Sequence, residues 1–82
     1  MVRELIQVDT GDAIALSVAF DRNSKLVAVG CSDAEVKIVN AEKGEIASIC
    51  KAHEDAVNGV VFNQENNALF SSSSDGTIRI WK

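Results

Sequence analysis

The 82-residue chain is predicted to be all-β, built from two copies of one strand-rich unit. Its closing stretch, residues 75–82 (DGTIRIWK), echoes residues 33–40 (DAEVKIVN) at a shift of 42 positions. Short alternating or β-branched apolar runs recur between turn-forming residues, and nowhere does an apolar 3.6-residue spacing persist for ten residues. A repeated unit of this length usually cannot bury its own apolar faces, so each unit needs neighbours.

Each unit is predicted to contain three strands joined by short turns. In the first unit the strands are residues 13–20, 25–31 and 35–39. In the second unit they are residues 56–62, 68–72 and 77–81. A weaker, edge-type strand precedes each unit, at residues 3–8 and 45–51. In the last turn Gly76 can take a positive φ freely, whereas Ala34 at the matching place must accept a steric cost or use another turn.

Composition narrows the classes of protein and partner. With 46% hydrophobic and 24% charged residues, the chain is neither disordered nor membrane-spanning in character. It has no apolar run of ~18 residues and no signal-peptide pattern, so we expect a cytoplasmic location. The net charge of −4 disfavours nucleic acid and anionic membranes as partners. Cys31, Cys50 and His53 are too few for a zinc site, and we expect no metal and no cofactor.

The second unit resembles one repeat of the WD-repeat β-propeller family, and the first unit resembles a divergent repeat. The residues that carry the resemblance, in order, are His53, Val57, Phe62, the serines 71–74, Asp75, Gly76, Thr77, Ile78, Ile80 and Trp81. The resemblance implies two four-stranded antiparallel propeller blades, since a repeat of about 40 to 45 residues supplies four strands. We predict a single propeller segment: an outer strand in 1–10, a first repeat in 11–52, and a second repeat in 53–82 that lacks its outer strand.

The resemblance also implies a buried chain of hydrogen bonds in the second repeat. Asp75 would orient His53, His53 would bond the Ser71 hydroxyl, and that hydroxyl would bond the Trp81 indole. In the first repeat Thr10 falls near the histidine position and Asp33 persists. Val29 and Val39 replace the serine and the tryptophan, so that network cannot form there. We expect Asp33 to cap its local turn instead.

His53, Ser71 and Asp75 are also the residue types of a hydrolase triad. A nucleophile needs an open site with an oxyanion hole, and no feature of the sequence suggests one. We therefore predict a structural network, no catalytic residues and no enzyme activity, with a hydrolase as the least favoured alternative.

The ends of the chain are expected to complement each other. By the resemblance, the first strand would close the last blade of a ring, yet family propellers need roughly 4 to 8 blades. We therefore predict a ring completed by oligomerisation or by another chain. A trimer would give six blades and a tetramer eight. The predicted oligomer-closing strand consists of Arg3, Glu4, Leu5, Ile6, Gln7 and Val8.

Two functions stay open at this point. The family resemblance implies a protein-interaction scaffold that binds proteins or peptides and self-assembles through strand exchange between chain ends. The alternative is a truncated, minimal or engineered propeller fragment whose only function is self-assembly. The expected partners are therefore other copies of the chain, or a chain that supplies further blades, together with protein or peptide ligands.

Overall fold

Seven antiparallel strands make up the part of the chain that the computed structural model describes, residues 7–51 and 53–82. The first four form one sheet in the order β1-β2-β3-β4, and the last three form a second sheet in the order β5-β6-β7. The all-β prediction is confirmed, and the strand ends differ from the predicted ones by at most two residues. The strands are β1 (Ala15–Phe20), β2 (Leu26–Cys31), β3 (Glu35–Asn40), β4 (Glu45–Lys51), β5 (Val57–Phe62), β6 (Leu69–Ser73) and β7 (Ile78–Trp81).

The two sheets repeat each other in detail. β1 carries a register shift between Ala15 and Ser17, and β5 carries the same shift between Val57 and Gly59, 42 positions later. Such a bulge bends a strand and increases its twist. β1 and β5 are therefore bent at the same place.

The turn before the third strand of each repeat uses a left-handed residue. Gly76 has φ +88°, and Ala34, its counterpart, has φ +73°. Each turn is closed by a backbone hydrogen bond, from Ala34 N–H to Cys31 O at 3.3 Å and from Gly76 N–H to Ser73 O at 3.1 Å. Ala34 thus accepts the steric cost that Gly76 avoids, because a Cβ disfavours positive φ.

The sheets pack face to face, and we call their contact the inner interface. Ala28 and Val36 of the first sheet are fully buried there against Val57, Phe62 and Leu69 of the second. Because side chains alternate along a strand, the neighbouring residues point to the opposite side of each sheet. One side of each sheet thus belongs to the inner interface, and the other side faces away from it.

Gly30 sets the closest approach across the inner interface. A Cβ placed on Gly30 would lie 2.8 Å from the carbonyl oxygen of Val57, so only glycine fits without a shift of the backbone. Polar contacts also cross the interface. The Val60 N–H donates to Ser17 Oγ at 3.2 Å, and Arg22 Nη1 donates to the Glu65 carbonyl at 3.0 Å. The two repeats are therefore held at a fixed distance and orientation.

In residues 7–51 and 53–82 there is no helix of the length and apolar character needed to cross a membrane.

Candidate functional site

Four polar side chains of the second repeat form a continuous chain of hydrogen bonds, and one of them, Trp81, packs against the inner interface. His53 Nε2 lies 2.8 Å from Ser71 Oγ, and Trp81 Nε1 donates to the same oxygen at 2.9 Å. His53 Nδ1 lies 3.2 Å from Asp75 Oδ2. With Nδ1 protonated, His53 donates to Asp75 and accepts from the Ser71 hydroxyl, so every polar atom in the chain has a partner. His53 lies just before β5, Ser71 in β6 and Trp81 in β7, so the chain ties three segments together.

Asp75 is the most heavily bonded member of this network. Its Oδ1 accepts from the Thr77 hydroxyl at 2.6 Å and from the Thr77 N–H at 2.9 Å, while Oδ2 also accepts from the Glu54 N–H at 2.9 Å. These bonds, the Thr77 hydroxyl first and the Glu54 N–H second, hold the pKa of Asp75 well below its usual range. The carboxylate is therefore ionised at neutral pH and fixes both the last turn and the segment before β5.

The burial of Ser71 bears on its capacity as a nucleophile. The residue is 1% exposed, and its oxygen already contacts both His53 and Trp81. A substrate carbonyl has to reach a nucleophile directly and needs donors for the developing oxyanion. Reaching Ser71 would require removing part of the inner interface, so the arrangement suits structural bonding of buried polar groups better than acyl transfer.

In the first repeat, an ion cluster takes the place of this hydrogen-bond network. Its Asp33 Oδ1 accepts from the Glu35 N–H at 3.3 Å, as the predicted turn cap requires. The ammonium of Lys37 lies 2.8 Å from Asp33 Oδ2 and 3.1 Å from Glu35 Oε1. The side chain of Lys37 is only 6% exposed. Thr10, near the histidine position, donates its hydroxyl to the Ala13 carbonyl at 3.0 Å.

Sequence reasoning missed Lys37. Burial by itself would lower the pKa of its ammonium, but the hydrogen bonds to Asp33 and Glu35 outweigh burial and raise that pKa. Burial would likewise raise the pKa of Asp33, and the Lys37 bond reverses the direction and lowers it. The available signal was the placing of a lysine between two acidic residues at alternating strand positions, which puts Glu35 and Lys37 on one side of β3.

The two cysteines are free thiols. Cys31 is fully buried and Cys50 partly buried. Burial raises the pKa of both thiols, so both stay protonated at neutral pH and behave as small apolar groups. The described residues contain no group of three or more His, Cys, Asp or Glu side chains that could hold a metal ion.

Two apolar surfaces face away from the inner interface. The first outer face is the free side of the four-stranded sheet, with a groove of about 320 Å³ lined by Ala15, Val18, Phe20, Val27 and Val39. The second outer face is the free side of β5-β6-β7. It comprises Gly59, Val61, Phe70, Ser72, Ile78 and Ile80. Several of these residues are more than half exposed, among them Val18 at 62% and Val61 at 58%.

Most of the predicted oligomer-closing strand, Arg3 to Ile6, lies outside the described residues. Gln7 and Val8 are described and belong to no strand. Val8 packs against the buried cluster of Val29, Cys31 and Val39 and borders the groove of the first outer face. The role of this segment in closing a ring stays a prediction.

Comparison with known families agrees with this geometry. Residues 4–40 and residues 44–82 each match the family described as WD domain, G-beta repeat. The chain belongs to this WD-repeat family. The second match spans β4 together with β5-β6-β7, although β4 pairs with β3 in the first sheet. A repeat in the sequence is thus offset from a sheet in space.

Individual relatives support the same assignment. The chain is 32% identical over 84 residues to WD repeat-containing protein GTS1 of Arabidopsis thaliana, covering 98% of this chain and 21% of that protein. It is 35% identical over 65 residues to THO complex subunit 6 of Drosophila melanogaster, covering 79% of this chain and 18% of that protein. The crystal structure of the RRP9 WD40 repeats superposes on this chain with a TM-score of 0.78 at 27% identity. The match covers 82% of this chain and 20% of the RRP9 chain.

These comparisons also set the scale of the match. The chain spans between 7% and 21% of the length of the curated relatives it matches. WD-repeat proteins are in general non-catalytic scaffolds that bind other proteins, and THO complex subunit 6 is by its name a member of a complex.

Proposed function

We propose that this chain is a protein-interaction scaffold whose propeller is completed by blades outside the chain, supplied by further copies of it or by another polypeptide. Proteins or peptides would bind the loops and the opening of the completed ring. The single observation that carries the proposal is the pair of bare apolar outer faces on either side of a well-packed inner interface.

The exposure of these faces is unusual for a folded monomer. Val18, Phe20, Val61, Ile78 and Ile80 are each 55% to 72% exposed. Contiguous apolar surfaces of this kind generally mark places where another protein packs. The inner interface shows what a covered face of this repeat looks like, because there the matching positions are buried or half-buried.

The edge of β7 offers a second point of attachment. In the described residues β7 pairs only with β6, so its other edge carries unpaired backbone N–H and C=O groups. β3, its counterpart, pairs on that side with β4. An exposed strand edge is a template for an incoming strand. We propose that the outer strand predicted at residues 3–8 of another copy, or a strand of another polypeptide, pairs there.

We further propose that the chain is not an enzyme and that it acts in the cytoplasm without binding nucleic acid or membranes. The burial of Ser71 and the net charge of −4 support these parts of the proposal. Loss of a hydrolytic activity in Ser71→Ala, with folding intact, would contradict them. A fluorescently tagged chain found in another compartment would contradict the location.

Solution size, measured by sedimentation velocity over a wide concentration range together with binding of the apolar dye ANS, tests the scaffold proposal. We expect either a defined species of three or four chains, or a chain that binds ANS and becomes soluble and defined in size with a second polypeptide. A species of fixed size that has self-assembly as its only property would favour the minimal-fragment alternative. A folded, monodisperse monomer that does not bind ANS would contradict the proposal.

A further inference from the structure

The inner interface is a template for what can cover the two outer faces. A shift of 42 positions carries the first sheet's side of the inner interface onto the second outer face. In the other direction, residues of the second sheet that lie at the inner interface correspond to residues of the first outer face 42 positions earlier. We call two residues 42 positions apart counterparts. If the second outer face of one chain met the first outer face of another, the contact would therefore repeat the inner interface with a new set of side chains.

On the second outer face the counterpart side chains are larger than those they replace. Ala28, which is fully buried at the inner interface, corresponds to Phe70. Four other pairs add atoms or keep them: Ala19 corresponds to Val61, Gly30 to Ser72, Val36 to Ile78, and Ile38 to Ile80; one pair, Ser17 and Gly59, loses its side chain. This face therefore projects further from its sheet than the first sheet does at the inner interface.

On the first outer face three of the counterpart side chains are smaller, and Val29, in place of Ser71, is larger. Trp81 corresponds to Val39, Val57 to Ala15, and Leu69 to Val27, while Phe62 corresponds to Phe20 and keeps its size. The space that this leaves is visible as the groove of about 320 Å³ at Ala15, Val27 and Val39. The groove thus lies where the template interface holds its largest side chains.

We propose that the occupant of each outer face is a second copy of this chain, packed head to tail so that the second outer face of one copy fills the first outer face of the next. The side-chain atoms gained on the second outer face offset those lost on the first outer face. The total number of side-chain heavy atoms in the contact between copies would therefore nearly equal the number at the inner interface. Constant total volume is the condition under which apolar contacts tolerate such exchanges best. An unrelated partner would match only by coincidence.

The closest backbone approach shows the same compensation. At the inner interface Gly30 faces Val57, and a Cβ there would also meet Val57 Cγ1 at 2.9 Å. Between copies Ser72 would face Ala15, so the side with the larger residue meets the smaller one. Ala15 still presents a backbone carbonyl oxygen here, as Val57 does at the inner interface. The facing sheets of two copies would therefore stand slightly further apart than the two sheets of one chain.

Of the three polar contacts across the inner interface, one keeps a hydroxyl acceptor, one keeps a side-chain donor because Gln64 is the counterpart of Arg22, and one is lost. Ser17 Oγ accepts from Val60 at the inner interface, and its counterpart is Gly59. Ser72 Oγ, however, lies 2.9 Å from the place of a Cβ on Gly59, so a hydroxyl remains at this position to meet the N–H of Val18. The Asn67 amide oxygen that accepts from Arg22 has Lys25 as its counterpart, which offers no acceptor. Because the two outer faces consist mostly of apolar side chains, contact between copies is mainly apolar.

This inference rests on the proposed function, since it names the occupant of the faces described there. Because the two faces differ, the contact is heterologous, and it closes into a ring only if the rotation between copies closes. Three or four copies would satisfy the blade numbers of the family.

A matched pair of variants tests the inference. Val18→Glu places a charge on the first outer face and Val61→Glu places one on the second, at valines of similar exposure. We expect the wild type to form a closed oligomer and each variant alone to sediment as a monomer of 8.8 kDa. An equimolar mixture still contains one intact face of each kind, and we expect it to form a one-to-one dimer and nothing larger. Lys43→Glu, in the exposed β3–β4 turn, is the control and should assemble like the wild type.

Each other outcome contradicts the inference in a recognisable way. Self-association of one variant alone would show that a face pairs with itself. A mixture that stays monomeric would show that the faces do not meet. A wild type that stays monomeric but binds ANS would overturn the second copy as occupant while leaving the proposed function standing. If circular dichroism shows that a glutamate variant is unfolded, Val18→Thr and Val61→Thr provide the same comparison, with a loss of oligomer at low concentration as the expected result.

Discussion

The two repeats share a backbone and differ in how they satisfy their polar groups. In the second repeat a chain of neutral donors and acceptors ends on one carboxylate, from Trp81 through Ser71 and His53 to Asp75. In the first repeat an ammonium, Lys37, lies between two carboxylates. Both arrangements are anchored by an aspartate in the turn before the third strand. The turn aspartate is thus the common element, and the rest of the bonding adapts to the residues that surround it.

The difference follows from what each arrangement has to cover. In the network of the second repeat, Trp81 packs against the inner interface and Ser71 is fully buried on the same side of the sheet, and neutral groups cost less to bury there than charges. The ion cluster of the first repeat lies on the side that faces away, where Asp33 remains 41% exposed in its side chain. Asp33 keeps part of its hydration there, and the two carboxylates compensate the Lys37 ammonium, whose side chain is only 6% exposed.

The largest effect in this comparison is expected from Trp81→Ala. The substitution removes a large aromatic side chain from the inner interface and leaves Ser71 without its indole donor, so we expect the free energy of unfolding to fall by about 3 kcal/mol. Trp81→Phe keeps most of the packing and should cost only about 1 kcal/mol. Urea unfolding at one fixed protein concentration measures both. Equal losses in the two variants would show that packing contributes nothing beyond the hydrogen bond.

The next largest effect is expected at Gly30. In Gly30→Ala the new Cβ would meet the backbone oxygen of Val57 at 2.8 Å, which forces the two repeats apart and should cost about 2 kcal/mol. Gly59→Ala is the matched change in the second repeat. There the first atom met is Ser72 Oγ, the end of a small side chain that can rotate, so a smaller loss is expected. Thermal melts of both variants measure the two losses of stability. A greater loss in Gly59→Ala than in Gly30→Ala would contradict the close approach at Gly30.

A smaller effect is expected from removing both carboxylates of the ion cluster. Asp33→Asn combined with Glu35→Gln leaves the buried Lys37 ammonium without a counter-charge, and we expect a loss of about 1 to 2 kcal/mol in urea unfolding. Lys37→Met removes the buried charge instead, and both carboxylates can reach water. It should therefore change stability by less than about 1 kcal/mol. A double variant that is as stable as Lys37→Met would show that Lys37 reaches solvent without its partners.

The smallest effect is expected in the pH dependence, and it appears only in acid. Since the folded-state pKa of Asp75 is depressed, its contribution is present above the ordinary value of about 4 and is lost as the pH falls below that value. The free energy of unfolding should therefore decrease more steeply below about pH 4 in the wild type than in Asp75→Asn. Asp33→Asn tests the equivalent carboxylate, whose pKa is also lowered. Parallel acid profiles in the wild type and both variants would contradict these assignments.

Much of the fold could be predicted because its signals are local. The repeat period, the alternation of apolar residues and the turn formers identified the seven described strands to within two residues, with β4 at its observed bounds. The composition of the polar network was accessible only through resemblance to a family, since no rule of spacing brings His53 to Ser71. Tertiary packing brings His53 Nε2 to within 2.8 Å of Ser71 Oγ.

By itself the sequence determined the number of repeats, the strands and the alternation of sides, because these depend on each residue and its near neighbours. The tertiary structure alone decided three further features: the burial of Lys37, the positive φ of Ala34, and the close approach of Gly30 to Val57. The burial of Lys37 and the approach of Gly30 to Val57 depend on where distant segments come to rest, whereas the φ of Ala34 settles which of two local turns forms. The size exchange between the outer faces is of the same kind, since it could be recognised only after the inner interface showed which side chains meet.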